Sequence, residues 1–183
     1  MKGMFFNNFD RYISETYGIE AWETILSESD LESGDVFIGP QVYPDSDFYI
    51  LLDKAISYLK IEKNELLKDL GRKLFHYYAE YFPDIVDTSI NPKQFLLSIN
   101  DIHQYEVKKL LKVADPPIFT FEDPAPDKVL MTYYSKRKLC PLMEGILLGF
   151  SDVFKAPINF TKTACMLKGD EQCSYEITFN KRG

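Results

Sequence analysis

The chain contains no long apolar run and no run of basic residues, and these absences exclude several classes of protein. Polar residues interrupt the N-terminal segment before an apolar stretch long enough for a signal peptide or a membrane span can develop. Lys and Arg number 21 against 28 acidic residues, and the net charge of -7 disfavours a surface for nucleic acid or anionic membrane. We therefore expect a cytoplasmic protein whose partners are proteins or small molecules.

Cysteine and histidine are scarce, with three and two residues respectively. An odd number of cysteines without an export signal argues against a disulfide framework and for reduced thiols. The sequence shows no internal repeat and no low-complexity tract. A chain of 183 residues that is 45% hydrophobic and 15% aromatic can bury a core large enough to enclose a cofactor, but it is short for two full domains. These properties predict a single domain over residues 1–183.

Apolar residues recur at helical spacing in the first part of the chain and alternate with polar residues afterwards. The spacing predicts two short helices separated at Gly18, then helices from Asp45 or Ser46 to Leu59, from about Lys63 to Phe82, and after an Asn91–Pro92 cap. Strands are predicted at 118–121 and 129–137, then a helix at about 139–154 and a hairpin of 158–166 and 174–179. A helical part at about 1–112 followed by a strand-rich part at about 113–183 is an α+β arrangement.

His103 lies within an apolar row of the helix that follows Pro92. A single histidine in such a row is more often a core residue whose ring nitrogens bond backbone or water than a metal ligand. About thirty residues later comes Tyr133-x-Ser135-x-Arg137, whose side chains share one face if the segment is a strand. A phenol, a hydroxyl and a guanidinium on one face suit an anion such as a carboxylate, although the same three residues also occur on ordinary exposed strands.

Five features together resemble the haem nitric oxide/oxygen binding (H-NOX) family, and they cover essentially the whole chain. They are Met1-Lys2-Gly3, Trp22, Ile102-His103, the Pro116-Pro117-Ile118-Phe119 turn and Tyr133-x-Ser135-x-Arg137. The resemblance implies a helical part packed on a C-terminal antiparallel sheet with inserted helices, and haem b buried between them. It implies that His103 is the proximal iron ligand, that Tyr133, Ser135 and Arg137 hold the propionates, and that Pro116 or Pro117 presses on the porphyrin.

The resemblance also bears on which gas is bound. In oxygen-binding members a distal tyrosine donates a hydrogen bond to the ligand, supported by polar residues on two other helices. The matching positions here are Leu142, Leu74 and Phe9, all apolar, which implies a sensor that binds nitric oxide (NO) and CO but forms no stable oxygen complex. The same side chains would also serve as ordinary core, and nearby donors in sequence are His76, Tyr77 and Tyr78.

Nothing in the sequence resembles a kinase, cyclase or phosphodiesterase, so we expect no enzyme activity and a signal that reaches a separate protein. By the resemblance, NO binding would break the bond from iron to His103 and shift its helix, with Gly71 and Gly145 as candidate hinges. The family likeness suggests a bacterial histidine kinase or cyclic-di-nucleotide enzyme as the effector. Catalysis by Cys140 or Cys173 is disfavoured because no histidine lies near either in sequence.

Cys140, Cys165 and Cys173 are soft ligands that could share one zinc ion. Some H-NOX members hold zinc with three cysteines and a histidine, but Lys162 stands where the histidine is expected, so zinc is not predicted as a cofactor. An incomplete site, a thiol redox pair and three buried side chains without a role stay open. The segment from Cys140 to Cys173 also resembles the vinyl-reductase-like family, which would make the chain a haem-free small-molecule or zinc/thiol redox sensor.

Overall fold

The computed structural model describes residues 1–102 and 116–180 and divides the chain into two compact units, Met1–Leu70 and Gly71–Gly183. The first unit is helical. Its elements are α1 (Gly3–Tyr17), α2 (Ile19–Ser27), α3 (Asp45–Leu59) and the start of α4 (Lys63–Tyr81). Within the described residues, no helix is both long enough and apolar enough to cross a membrane.

Aromatic rings fill the core of the first unit. Phe6 stacks on Phe37 with ring centroids 4.3 Å apart, and Phe9 meets the edges of Trp22 and Phe48 at 5.8 and 5.5 Å. The predicted break between α1 and α2 is confirmed at Gly18, which has φ 100°. A side chain would disfavour that left-handed backbone, so glycine ends α1 and lets α2 turn back onto it.

The start of α3 differs from the prediction that Asp45 or Ser46 caps it. Pro44 occupies the N-cap position, and no side chain makes a capping hydrogen bond there. The carboxylate of buried Asp47 instead accepts the backbone N–H groups of Glu32 at 3.3 Å and Ser33 at 3.2 Å, together with the Ser33 hydroxyl. Asp47, one of two acidic residues in the first turn, therefore fixes the preceding loop rather than capping its own helix.

The second unit combines an antiparallel sheet with helices. It contains the rest of α4, α5 (Pro92–Ile102), β1 (Ile118–Ala125), β2 (Lys128–Tyr134), α6 (Cys140–Val153), β3 (Ile158–Ala164) and β4 (Cys173–Phe179). The strands lie in the order β1-β2-β4-β3, with every neighbouring pair antiparallel. The predicted α+β class is confirmed. So is the cap of α5, because Asn91 Oδ1 accepts the N–H groups of Lys93 and Gln94 at 2.9 and 3.3 Å.

The predicted strand through residue 137 is too long. β2 ends at Tyr134, and the N–H of Lys138 donates to the carbonyl of Ser135 at 3.0 Å, which closes a turn. Lys138 has φ 50°, a left-handed conformation that no strand contains. Arg137 is therefore a turn residue, and alternation along a strand does not determine where its side chain lies.

Helices α4 and α6 approach each other backbone to backbone at two glycines. A Cβ on Gly71 would overlap the carbonyl oxygen of Leu142, and a Cβ on Gly149 would overlap that of Arg72 and lie 2.7 Å from the Phe75 Cβ. Close by, Arg72 binds Asp152 with two hydrogen bonds of 2.6 and 2.9 Å. Two glycines and one bidentate ion pair thus hold the helices in close contact.

Replacing Gly149 by alanine should destabilise the protein. The added methyl group meets backbone and Cβ atoms that cannot rotate away, so we expect a loss of about 1–3 kcal/mol in the free energy of unfolding. Urea unfolding followed by circular dichroism measures it. Gly39→Ala is the matched control, because a Cβ there meets no atom within 4 Å and should change the free energy by less than about 0.5 kcal/mol. Equal losses of unfolding free energy in the two variants would contradict the close approach of the helices at Gly149.

Candidate functional site

The predicted site residues fall on several elements. His103, the predicted iron ligand, lies outside the described residues. Pro116 and Pro117 are described, and both are partly buried immediately before β1. Tyr133 lies in β2, and Ser135 and Arg137 lie in the turn that follows it.

Tyr133, Ser135 and Arg137 are brought together by the turn after β2 and not by the alternation of side chains along a strand. Tyr133 and Ser135 are buried, at 5% and 7% exposure. Their hydroxyl groups interact with each other, Ser135 Oγ accepts the backbone N–H of Arg137 at 3.3 Å, and the charge of Arg137 acts on the phenol. These three residues, which we call the donor set, thus combine two hydroxyl groups and a guanidinium beside one another.

Burial sets the ionisation of Tyr133. Loss of solvent raises the pKa of its phenol to about 12, outweighing the opposing effects of Ser135 and Arg137, while Cys140 and Cys173 add to the rise. The phenol is therefore a neutral hydrogen-bond donor at neutral pH. Two hydroxyl donors and one cationic fork fit carboxylate oxygens, so the chemistry of the donor set matches the propionate groups that a haem carries.

The apolar positions predicted for the distal side are buried. Leu74 on α4 and Leu142 on α6 belong to the second unit, where the Gly71 contact brings the two helices together at Leu142. Phe9 belongs to the first unit and packs on Trp22 and Phe48.

Of the neighbouring donors on α4, His76 is exposed and lies 3.3 Å from Asp152. The carboxyl of Asp152 has a lowered pKa, chiefly because Arg72 donates to it, with His76 adding to the effect. Tyr77 is buried, and burial raises the pKa of Tyr78 to about 12, so that phenol also keeps its proton at neutral pH.

The three cysteines converge, as the sequence suggested. Cys140 begins α6, Cys165 follows β3, and Cys173 begins β4 directly opposite Tyr133 of β2. All three are buried, their Sγ atoms lie within 4.8 Å of one another, and the Sγ atoms of Cys140 and Cys173 are 3.0 Å apart. We call this group the thiol cluster.

The members of the thiol cluster ionise differently. Burial, together with its thiol neighbours, raises the pKa of Cys140 well above its usual range. Burial opposes ionisation of Cys165 as well, but a hydrogen bond from the Leu167 backbone and the charge of Lys162 outweigh it and lower its pKa. Cys165 thus loses its proton more readily than Cys140.

Lys162 does not replace the histidine ligand found in some H-NOX members. Its Nζ donates to Glu144 Oε1 at 2.5 Å, so the side chain is an ammonium without a lone pair for a metal. The group of possible metal ligands that the described residues form here contains the three cysteines alone. A zinc site closed by four protein ligands therefore does not fit this cluster.

Two residues of the cluster's surroundings were not predicted from the sequence. Glu144 lies one helical turn after Cys140 and holds Lys162, and Tyr175 lies on the same face of β4 as Cys173. The alternation of β4 could have indicated Tyr175. The pairing of Glu144 with Lys162 joins a helix to a strand and has no signal in local spacing.

A family model described as Haem-NO-binding matches residues 2–162. The chain belongs to the H-NOX family. Soluble guanylate cyclase gcy-34 of Caenorhabditis elegans is 29% identical over 188 aligned residues, covering 100% of this chain and 26% of the relative. The chain spans about a quarter of the length of the curated relatives it matches.

Solved H-NOX structures share the fold of the chain. An H-NOX protein from S. oneidensis in the Fe(II)NO state superposes with a TM-score of 0.90 at 24% identity, covering 99% of this chain and 100% of that one. An oxygen-binding H-NOX domain, solved as its oxygen complex, superposes with a TM-score of 0.86 at 23% identity, covering 99% of this chain and 96% of that one. An NO-ligated and an oxygen-binding protein thus share this fold, which by itself does not select the gas.

Because Tyr133 is buried, the free energy of unfolding should fall as the pH rises through the alkaline range. Its folded pKa of about 12 lies above the ordinary value of 10.0, so the folded state holds a proton that the unfolded state loses. The contribution of this phenol to the free energy of unfolding is complete below about pH 10 and falls by about 2 kcal/mol by pH 12. Unfolding free energies of the wild type and Tyr133→Phe across this range measure the difference. Tyr134→Phe, which removes an exposed phenol, should keep the wild-type slope, and an unchanged slope in Tyr133→Phe would contradict the effect.

Proposed function

We propose that this chain is a haem-based sensor that binds NO at ferrous iron and passes the signal to a separate protein. The observation that carries the proposal is the donor set, in which buried Tyr133 and Ser135 lie beside partly buried Arg137, in a chain of the H-NOX family. Two hydroxyl donors and a guanidinium beside one another suit an anion, and haem b offers two carboxylates to such a set.

Each site residue has a proposed part. His103 would bind the iron through a ring nitrogen, and the donor set would hold the propionates by hydrogen bonds to Tyr133, Ser135 and Arg137. Pro116 or Pro117 would press against the porphyrin. Haem supplies the ferrous iron to which a diatomic gas binds.

Selectivity for NO is supported by apolar side chains at the three predicted distal positions. Leu74 and Leu142 offer no hydrogen-bond donor, and Phe9 is a buried ring. Bound oxygen carries partial negative charge and needs a donor for stable binding, whereas NO and CO bind ferrous iron without one. We propose that the chain binds NO and CO and forms no lasting complex with oxygen.

The signal is proposed to start at His103. Binding of NO would weaken the bond by which His103 holds the iron, and release of His103 would let its segment move. The output would reach an effector protein in trans, a histidine kinase or a cyclic-di-nucleotide enzyme, and we propose no catalytic activity for the chain itself.

Absorption spectra of the purified ferrous protein test the proposal. We expect a Soret band that shifts with NO and with CO and stays unchanged in aerated buffer. His103→Gly should lose the band, whereas the matched variant His76→Gly should keep it, because His76 is an exposed side chain beside Asp152. A colourless protein that takes up zinc in equal amount would instead favour the haem-free thiol sensor, and an oxygen complex would contradict the selectivity.

A further inference from the structure

A recess on the surface of the first unit lies between the end of α2 and the loop that follows it. Its volume of about 430 Å³ is that of a small binding pocket, so it can receive side chains of a partner but not a whole helix. Leu26 and Leu31 contribute apolar surface to its lining, and Glu23, Asp30 and Asp35 contribute exposed carboxylates. We call this feature the acidic recess.

The loop that lines the acidic recess is held against the core of the first unit on both sides. On its N-terminal side, the backbone N–H groups of Glu32 and Ser33 donate to buried Asp47 at 3.3 and 3.2 Å. On its C-terminal side, Phe37 stacks on Phe6 with ring centroids 4.3 Å apart. A ligand that enters the recess therefore does not have to order this loop first.

Two β-branched apolar side chains stand in solvent directly after the acidic recess. Val36 is 71% exposed and Ile38 is 59% exposed, whereas Phe37 between them is buried. The backbone at Ile38 is fixed, because its N–H donates to the Tyr43 hydroxyl at 2.7 Å and its carbonyl accepts the N–H of Gln41 at 3.0 Å. This apolar pair, Val36 and Ile38, is therefore held in water by an ordered loop, as at surfaces that bind a partner.

The charge around the acidic recess selects the chemistry of that partner. Residues 12–53 include ten acidic residues and no lysine or arginine. The first unit contains 14 acidic residues against six basic ones, whereas the second unit is close to neutral. A surface of this sign repels a second copy of itself and attracts a cationic segment.

Lysine and arginine match the mixed lining of the acidic recess. Both side chains lay an apolar stem along apolar surface while the charged head stays in water. Leu26 and Leu31 offer surface for the stem, and the carboxylates of Glu23, Asp30 and Asp35 offer partners for the head. An amphipathic helix can present such a basic side chain together with apolar side chains one turn away.

We propose that the acidic recess and the apolar pair form a docking surface for a basic amphipathic helix of a protein partner. A lysine or arginine of that helix enters the recess, and its apolar side chains cover Val36 and Ile38. The docking surface goes beyond the proposed gas-sensing function, because it lies in the first unit alone and none of its residues is assigned to haem or to gas binding.

Fluorescence anisotropy on the full chain tests this docking surface. The probe is a fluorescein-labelled helical peptide of about 18 residues, with lysines on one face and leucines beside them. We expect micromolar binding that weakens as the salt concentration rises. A peptide with glutamate in place of each lysine should not bind, and one with serine in place of each leucine should bind about tenfold more weakly. Equal binding of the lysine and glutamate peptides would overturn the proposal.

Matched variants test the carboxylates. Asp30→Asn with Asp35→Asn should weaken binding of the lysine–leucine peptide about fivefold, since an exposed ion pair contributes little by itself. Asp53→Asn with Asp69→Asn removes the same charge from two other exposed positions of the first unit and should change binding by less than about twofold. Equal weakening in the two variants would show diffuse attraction to an acidic protein and would overturn the proposal.

A second pair of variants tests the apolar contact. Val36→Ser with Ile38→Ser should weaken peptide binding about tenfold, whereas Ile90→Ser with Leu167→Ser, at exposed positions outside the surface, should leave it unchanged. Unchanged binding in Val36→Ser with Ile38→Ser would overturn the proposal. So would sedimentation showing a dimer of the native chain that this variant abolishes, because the apolar pair would then bind a second copy. Both readouts are independent of haem, so they do not depend on the proposed gas sensing.

Discussion

The pairing of β2 with β4 is the constraint on which both candidate sites depend. It sets Tyr133 directly opposite Cys173, so the phenol of the donor set and a thiol of the cluster are neighbours in the core. A shift of one residue would turn both side chains to the other face of the sheet. Because Met131, Val129, Tyr175 and Ile177 of the same strands are buried as well, such a shift would also expose the core, and the register is therefore strongly specified.

Helix α6 connects the features that this register creates. Its first residue, Cys140, belongs to the thiol cluster, and Leu142 and Glu144 follow within the next turn. The same turn meets Gly71 of α4 with no side chain between the backbones. A displacement at the start of α6 would therefore reach the apolar position Leu142, the thiol cluster and the α4 contact together. In a tightly packed interior, such movements are transmitted rather than absorbed.

Local signals in the sequence were enough for much of the fold. Gly18 ends α1 because its backbone is left-handed, and Asn91 caps α5 with its own side chain, so both could be predicted from a few neighbouring residues. The backbone conformation at Arg137 could not be predicted in this way, because a turn closed at Lys138 replaces the expected end of a strand. The predicted cap of α3 by Asp45 or Ser46 was wrong, because Pro44 occupies the N-cap position and no side chain makes a capping hydrogen bond there.

The parts of the candidate site that belong to a sequence motif could be predicted. The contacts between distant segments could not. Tyr133, Ser135 and the three cysteines were recognised by residue type, and the structure brings each group together. The ion pair of Lys162 with Glu144 depends on the packing of α6 against β3, which no spacing rule encodes. That pair therefore became visible only in the three-dimensional structure.

The central claim is that His103 is the iron ligand and that NO binding breaks its bond to the metal. Electron paramagnetic resonance of the ferrous protein saturated with isotopically labelled NO tests this most directly, because the unpaired electron would couple to the NO nitrogen and to a histidine nitrogen that stays bound to the iron. The account predicts hyperfine splitting from the NO nitrogen alone. Additional splitting from an imidazole nitrogen at full saturation would show that the histidine stays bound, and would contradict the account.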